Sequence, residues 1–238
     1  MTSAQKIPCR VRQIVDHGDH VYTLSLEPEA RLPRFNSGQF LHLTLDAYDP
    51  TGFWPESRVF SIASSPQQRE SLTITYSVKG VYTRRMEQEL SVGREVWVKM
   101  PYGDFRVEPG RPSVLIAGGT GLTAFTAFIE SLTAEQAESL HVFYGVRERG
   151  LLIFRPLLEA ASRRCPALSV HYFIEQGDVS QPDESSGLLD IPTILKQIES
   201  PLDDDYYLSG PPGMLKKFTG ELQQHGIAAK AIHIDAWE

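Results

Sequence analysis

The stretch SVLIAGGTGLTAF, residues 113–125, constrains the fold more than any other part of the sequence. Gly119, Gly121 and Ala124 fit the pattern G-x-G-x-x-A, directly between an apolar strand-like run and a helical pattern. Small residues at such a turn let the backbone approach a pyrophosphate, and the N-terminus of the next helix supplies amide donors. A tight turn without a ligand is the alternative, but the flanking strand and helix favour nucleotide binding by a parallel sheet.

From this stretch onward, apolar strand-like runs alternate with helical patterns. The runs are SVLIAGG, LHVFYGV, LSVHYFIE, DYYLSG and KAIHIDA, and the helical stretches lie near residues 123–132, 154–164, 190–198 and 213–225. Continuous apolar strands that alternate with helices indicate a doubly wound α/β domain with a five-stranded parallel sheet. The polar stretch QGDVSQPDESSG, residues 176–187, is predicted to be a surface loop.

The first part of the chain has a different pattern. Apolar residues alternate with polar ones around residues 22–26, 41–45, 72–78 and 96–98. This period predicts short antiparallel strands in a small β-barrel, interrupted by one helix from Thr83 to Leu90. The segment EPGRP, residues 108–112, is suited to a hinge, so we expect a barrel domain at 1–108 and an α/β domain at 112–238.

The composition argues against several classes of protein. The net charge of −7 argues against nucleic acid as a partner, because phosphate binding requires a basic surface. Cys9 and Cys165 are the only cysteines, too few for the four thiolates of an iron–sulfur cluster, and no zinc-binding pattern occurs. No apolar run reaches membrane-spanning length and no signal sequence is visible, so we expect a cytoplasmic protein without a membrane span.

Two segments of the barrel half carry residues suited to an anionic ligand. Arg58 and Ser61 lie on one predicted strand, where a solvated arginine on a half-exposed edge is the alternative. One strand later, Gly80 forms a turn and Thr83 is predicted to cap the short helix. The helix N-terminus would then be a second anion site.

Arg147 ends the second parallel strand and is followed by Glu148 and Arg149. In dinucleotide-binding domains an acid at this place binds a free ribose, whereas an arginine accommodates a 2′-phosphate. Arg147 therefore favours NADPH over NADH, although an exposed loop arginine without a ligand is also common. We expect Arg147→Ala to raise the KM for NADPH far more than the KM for NADH.

Three motifs, in this order, resemble those of the ferredoxin–NADP reductase superfamily over nearly the whole chain. RVFS (58–61) is similar to the flavin motif R-x-[YF]-S, GGTGLT (118–123) to the nucleotide loop G-G-T-G-x-T, and SGPPGM (209–214) to C-G-P-P-G-M. The resemblance implies an FAD-binding antiparallel barrel followed by an NAD(P)-binding domain. It also implies bound FAD as the cofactor and NADPH, with NADH possible, as the hydride donor.

The resemblance assigns roles to individual residues. Arg58 would pair with the flavin pyrophosphate, Phe60 would flank the isoalloxazine ring, and Ser61 would hydrogen-bond near its N5. Ser61, Ser209 and the aromatic Trp237 would take part in catalysis. The residues implied to contact FAD or NAD(P)H are Arg58, Val59, Phe60, Ser61, Lys79, Gly80, Val81, Tyr82, Thr83, Gly118, Gly119, Thr120, Gly121, Thr123, Arg147, Ser209, Gly210, Pro211, Pro212, Gly213, Met214 and Trp237.

Four positions depart from the family pattern. Ala124 replaces a proline, and the turn Lys79-Gly80-Val81 lacks the frequent double glycine. Ser209 replaces the motif cysteine, and Glu238 follows Trp237. Because Ser209 would be the residue nearest the nicotinamide, we expect it to slow hydride transfer with binding largely retained. Ser209→Cys should then accelerate flavin reduction.

The resemblance implies a flavin-dependent NAD(P)H oxidoreductase that passes electrons to a separate ferredoxin, flavodoxin or oxygenase component. Lys79, Arg84 and Arg85 form a cationic cluster that could dock an acidic carrier, but solvation or direct flavin-phosphate contact is an equal alternative. Two other functions stay open. One is reduction of free flavin or ferric chelates, and the other is a non-catalytic flavin- and nucleotide-binding subunit or redox sensor.

Overall fold

A computed structural model describes residues 3–108, 110–136 and 138–236. The chain divides into two compact units, residues 1–106 and 107–238. The first unit is built from antiparallel strands and the second from a parallel sheet with helices. Among the described residues, no helix is long and apolar enough to cross a membrane.

The first unit is a six-stranded antiparallel barrel. Its strands are β1 (Gln5–Asp16), β2 (Val21–Pro28), β3 (Phe40–Thr44), β4 (Arg58–Ser61), β5 (Leu72–Ser77) and β6 (Glu95–Tyr102), in the order β4-β3-β6-β1-β2-β5. The two outer strands meet where the Ala63 N–H donates to the Thr73 carbonyl at 2.8 Å, so the barrel is nearly closed. Alternate residues such as Leu41 and Leu43 point into its core, as the period-2 pattern predicts.

One helix, α1 (Val81–Glu89), lies between β5 and β6 in the sequence. It buries Tyr82 and Met86 against the barrel core, four residues apart on one face. The Tyr82 hydroxyl donates to the Leu43 carbonyl at 3.1 Å and accepts the Leu45 N–H at 3.0 Å. These bonds fix the start of the helix against β3.

The second unit is a doubly wound α/β domain. Its strands are β7 (Ser113–Gly118), β8 (Leu140–Glu148), β9 (Leu168–Gln176), β10 (Glu184–Ser186), β11 (Asp205–Ser209) and β12 (Ile232–Ile234), in the order β10-β9-β8-β7-β11-β12. The helices are α2 (Thr123–Ser131), α3 (Arg155–Arg164), α4 (Ile191–Leu195) and α5 (Pro212–Gln224). All strand pairs of this sheet are parallel. The sheet has six strands, so the prediction of five was one too few.

The additional strand, β10, lies in the polar stretch 176–187 that was predicted to be a surface loop. It pairs in parallel with β9, and its first residue, Glu184, is buried. Arg149 and Arg155 each donate to the Glu184 carboxylate at 2.6 Å. Residues 176–182 are exposed, as predicted, whereas Glu184 in β10 is buried because two arginines distant in the sequence neutralise its carboxylate.

Candidate nucleotide-binding sites

The parallel sheet changes direction between β7 and β11. From β7 the chain adds β8, β9 and β10 on one side, and then returns to place β11 and β12 on the other. Ala117 and Ser209 are paired at the ends of β7 and β11, so the turns after these two strands leave the sheet side by side. In an open α/β sheet this switch point is where ligands bind.

The turn after β7 leads directly into a helix. Residues Gly119–Leu122 form one 3-10 turn, and α2 follows from Thr123. Gly119 has a φ of +56°, and a Cβ there would meet no other atom within 4 Å. The Thr123 hydroxyl donates to the Thr120 carbonyl at 2.6 Å, which fixes the turn. Gly119 therefore leaves open space in front of the N-terminus of α2.

Three other glycines of the two motifs lie where the two turns pack against each other. A Cβ on Gly121 would lie 2.5 Å from the Ser209 carbonyl oxygen, and one on Gly118 would lie 2.9 Å from the Met214 sulfur. Gly210, at φ +154°, has the Met214 methyl group 2.7 Å from its Cβ position. These glycines allow the two turns to pack against each other, a contact that their predicted role in ligand approach did not include, and Gly118 also lines a cleft of this unit.

Ser209 has a specific partner that the sequence did not reveal. Its hydroxyl donates to Asp235 Oδ2 at 2.9 Å, and both residues are buried. Asp235 is itself positioned because its N–H donates to the Leu208 carbonyl at 2.9 Å. The Ser209 hydroxyl, at the position where the family motif has a cysteine, is therefore oriented toward the Asp235 carboxylate.

A cleft of about 360 Å³ opens at the carboxyl ends of the strands in this unit. Among the predicted residues, Gly118, Gly119, Arg147, Pro211, Gly213 and Met214 line it. Nine further lining residues were not predicted from the sequence, and they include Phe173, Glu175, Leu189 and Lys217. Glu175 could have been found, because it ends a predicted strand at the same edge as Arg147.

One wall of the cleft depends on the buried Glu184. Burial alone would raise the pKa of this carboxyl group, but the hydrogen bonds from Arg149 and Arg155 lower it to about 2. The N–H groups of Ser180 and Gln181 also donate to Glu184. These bonds anchor the segment that continues into the cleft-lining residues Gly187 and Leu188.

In the barrel unit, Arg58 and the start of α1 come together. The Arg58 guanidinium lies over the Tyr82 ring, 4.7 Å from its centroid, and donates to the Glu56 carboxylate at 2.9 Å. Val59 is half-buried beside it on β4. Phe60 packs into the barrel core, where it contacts Tyr76, so little of its ring is accessible.

The start of α1 differs from the prediction in its cap. Gly80 is the N-cap and Thr83 stands three residues later, where its hydroxyl accepts the N–H groups of Lys79 at 2.9 Å and Gly80 at 3.1 Å. A Cβ on Gly80 would meet nothing within 4 Å. The amides of Val81, Tyr82 and Thr83 form the first helical turn, whose N–H groups have no partner inside a helix. This geometry suits an anion next to Arg58.

Arg85 forms ion pairs with Asp46 and Glu89, so it is neutralised within the barrel unit and does not belong to a cationic docking cluster. Lys79 and Arg84 are exposed. Trp237 lies outside the described residues.

Comparison with known proteins gives a consistent result. Residues 115–219 match the oxidoreductase NAD-binding domain family. The toluate 1,2-dioxygenase electron transfer component of Pseudomonas putida is 30% identical over 210 residues, covering 87% of this chain and 59% of the relative. The chain thus spans about three fifths of the length of the curated relatives that it matches.

Two solved structures share the fold of nearly the whole chain. The Amycolatopsis cytochrome P450 reductase GcoB superposes with a TM-score of 0.84 at 21% identity, over 99% of this chain and 70% of that one. The FAD/NAD-binding domain of nitric oxide dioxygenase from Vibrio cholerae O1 biovar El Tor gives 0.80 at 20% identity, over 96% and 97%. The barrel and the doubly wound sheet give the chain the two-domain fold of these structures, and the match of residues 115–219 to the oxidoreductase NAD-binding domain family supports its resemblance to the ferredoxin–NADP reductase superfamily.

Proposed function

We propose that this chain is a flavoprotein reductase that takes hydride from NAD(P)H onto bound FAD and passes electrons to a separate acceptor. The observation that carries the proposal is the crevice at the sheet switch point. There the GGTGLT and SGPPGM turns pack together and the open Gly119 faces the N-terminus of a nine-residue helix. NAD(P)H is the substrate that this arrangement fits, with its pyrophosphate at the α2 amides.

The barrel unit fits the FAD. A cation and three first-turn amides lie together at Arg58 and the start of α1, and the open Cβ position of Gly80 leaves room for a phosphate beside them. When bound, FAD supplies the chemistry, because it accepts a hydride and can release its electrons singly. In this proposal Arg58 and α1 hold the pyrophosphate, and Ser61, at the end of β4, offers a hydroxyl to the flavin ring.

The acceptor is proposed from the relatives. One similar protein is an electron transfer component of a dioxygenase and another is a cytochrome P450 reductase. An oxygenase component or a small electron carrier of this kind is therefore the proposed partner. Because Arg85 is neutralised, only Lys79 and Arg84 of the predicted cluster are left for docking an acidic surface.

The test starts with reconstitution of the purified chain with FAD, followed by steady-state turnover with NADH or NADPH and an artificial one-electron acceptor. Turnover that depends on bound FAD supports the proposal. A chain that binds both ligands without turnover would instead be a binding subunit or sensor. Rapid reduction of free flavin or ferric chelates, with no response to a protein carrier, would point to a diffusing acceptor.

A further inference from the structure

In the cleft of the α/β unit, an acid, Glu175, lies next to Arg147, the arginine whose position predicted a preference for NADPH. Val146 pairs with Ile174 and Glu148 pairs with Gln176, which sets Arg147 beside Glu175 on adjacent parallel strands. Both side chains line the cleft. Among the described residues, no hydrogen bond or ion pair engages the Glu175 carboxylate.

The cations around this part of the cleft already have acidic neighbours. The Arg149 guanidinium lies 2.6 Å from the Glu184 carboxylate, and Lys217 Nζ lies 3.7 Å from Glu221 Oε1. Arg147 itself has the Glu148 carboxylate 3.9 Å away. A 2′-phosphate bound here would therefore be attracted only weakly, because the nearby cations are partly neutralised, and the Glu175 carboxylate would repel it.

We infer that Glu175 is a specificity-determining residue that selects NADH over NADPH. The inference rests on the proposed function. With the pyrophosphate at the α2 N-terminus, the adenosine ribose extends toward the ends of β8 and β9, where Arg147 and Glu175 lie. The Glu175 carboxylate accepts hydrogen bonds from the free ribose hydroxyls and repels a 2′-phosphate, which carries nearly two charges at neutral pH.

Arg147 contributes to the same ribose site, although not by binding a 2′-phosphate. Its planar guanidinium next to Glu175 can orient the carboxylate and pack against the adenine ring, and neither action requires a 2′-phosphate. The two strand ends together then form a site for a ribose diol, whereas Arg147 without Glu175 would form a site for a phosphate.

The test is a binding experiment on the FAD-loaded protein and needs no turnover. Dissociation constants of 5′-ADP and 2′,5′-ADP are measured by isothermal titration calorimetry for the wild type, Glu175→Gln and Glu199→Gln. Glu199 is the matched control because it loses the same charge near His141, at the opposite end of β8. NAD⁺ and NADP⁺ are titrated in the same way.

We expect the wild type to bind 5′-ADP more tightly than 2′,5′-ADP. Glu175→Gln should shift that ratio toward the 2′-phosphate by about tenfold, because Glu175 is exposed and two charges separated by water interact only slightly more weakly than this at close range. Glu199→Gln should leave the ratio unchanged. A wild type that prefers 2′,5′-ADP, or a ratio that Glu175→Gln does not change, overturns the inference alone. If the wild type binds none of the four nucleotides, the proposed function falls with it.

Discussion

The start of α1 in the barrel unit and the turn before α2 in the α/β unit both offer backbone amides to an anion, but they use glycine differently. At α1 a single open glycine, Gly80, stands beside the Arg58 site, and the Thr83 side chain supports the turn. In the turn before α2, only Gly119 has free space at its Cβ position, while atoms of the neighbouring turn occupy the Cβ positions of Gly118 and Gly121. A glycine motif therefore combines positions that face a ligand with positions that allow two turns to touch.

The largest expected effect is on stability, at a glycine whose Cβ position is occupied by the neighbouring turn. Gly121→Ala places a Cβ 2.5 Å from the Ser209 carbonyl, a backbone atom that cannot move aside cheaply. We expect a loss of about 3 kcal/mol in the free energy of unfolding of the α/β unit. Gly213→Ala is the control, since its Cβ would meet nothing within 4 Å. Urea unfolding of both variants checks this, and equal stability of the two would remove the distinction between packed and open glycines.

The next effect concerns Glu184, which holds the cleft wall. Glu184→Gln weakens the three charge-assisted hydrogen bonds that Arg149 and Arg155 donate, and we expect it to cost about 2 kcal/mol at pH 7. Because folding lowers the pKa of Glu184 to about 2, its stabilising contribution is present above pH 4.5 and is lost as the pH falls toward 2. The difference in unfolding free energy between wild type and variant should shrink over that range. A difference that stays constant would contradict this account.

These two cases show what the sequence could and could not predict. The period-2 and strand–helix patterns predict both units, because burial periodicity is a local property of the chain. The role of Gly121 depends on Ser209, 88 positions away, and the burial of Glu184 depends on two arginines from other elements. Such pairings follow from strand order, which local patterns do not encode. The Ser209–Asp235 bond was missed for the same reason.

The barrel site is tested through Arg58. We expect Arg58→Ala to weaken FAD binding about tenfold, since hydrogen bonds to charged groups contribute roughly 1.5–3 kcal/mol. Arg12→Ala is the control, because Arg12 is exposed on β1 and pairs only with Glu27 in the described part of the chain. Flavin fluorescence quenching measures both affinities. If the two variants bind FAD equally well, Arg58 does not contact the pyrophosphate.

The smallest expected effect is that of Ser209→Cys on the rate of flavin reduction, because the substitution has one favourable and one unfavourable consequence. The softer thiol is predicted to accelerate flavin reduction, whereas a thiol donates only weakly to the buried Asp235 carboxylate. We expect Ser209→Cys to accelerate flavin reduction by a few-fold, with NADH binding largely retained. Stopped-flow reduction measures the rate, and Ser209→Ala separates the two consequences because it removes the hydroxyl without adding sulfur. A slower rate in both variants would show that the site is adapted to serine.

We propose that this chain transfers hydride from a nucleotide bound at the α/β switch point to a flavin bound at the barrel. This transfer is tested most directly by mixing the FAD-reconstituted chain with NADH in the absence of oxygen and following the flavin absorbance in a stopped-flow instrument. The account predicts rapid bleaching of the yellow colour, with one NADH oxidised per FAD. Flavin that stays oxidised while both ligands are bound would contradict it.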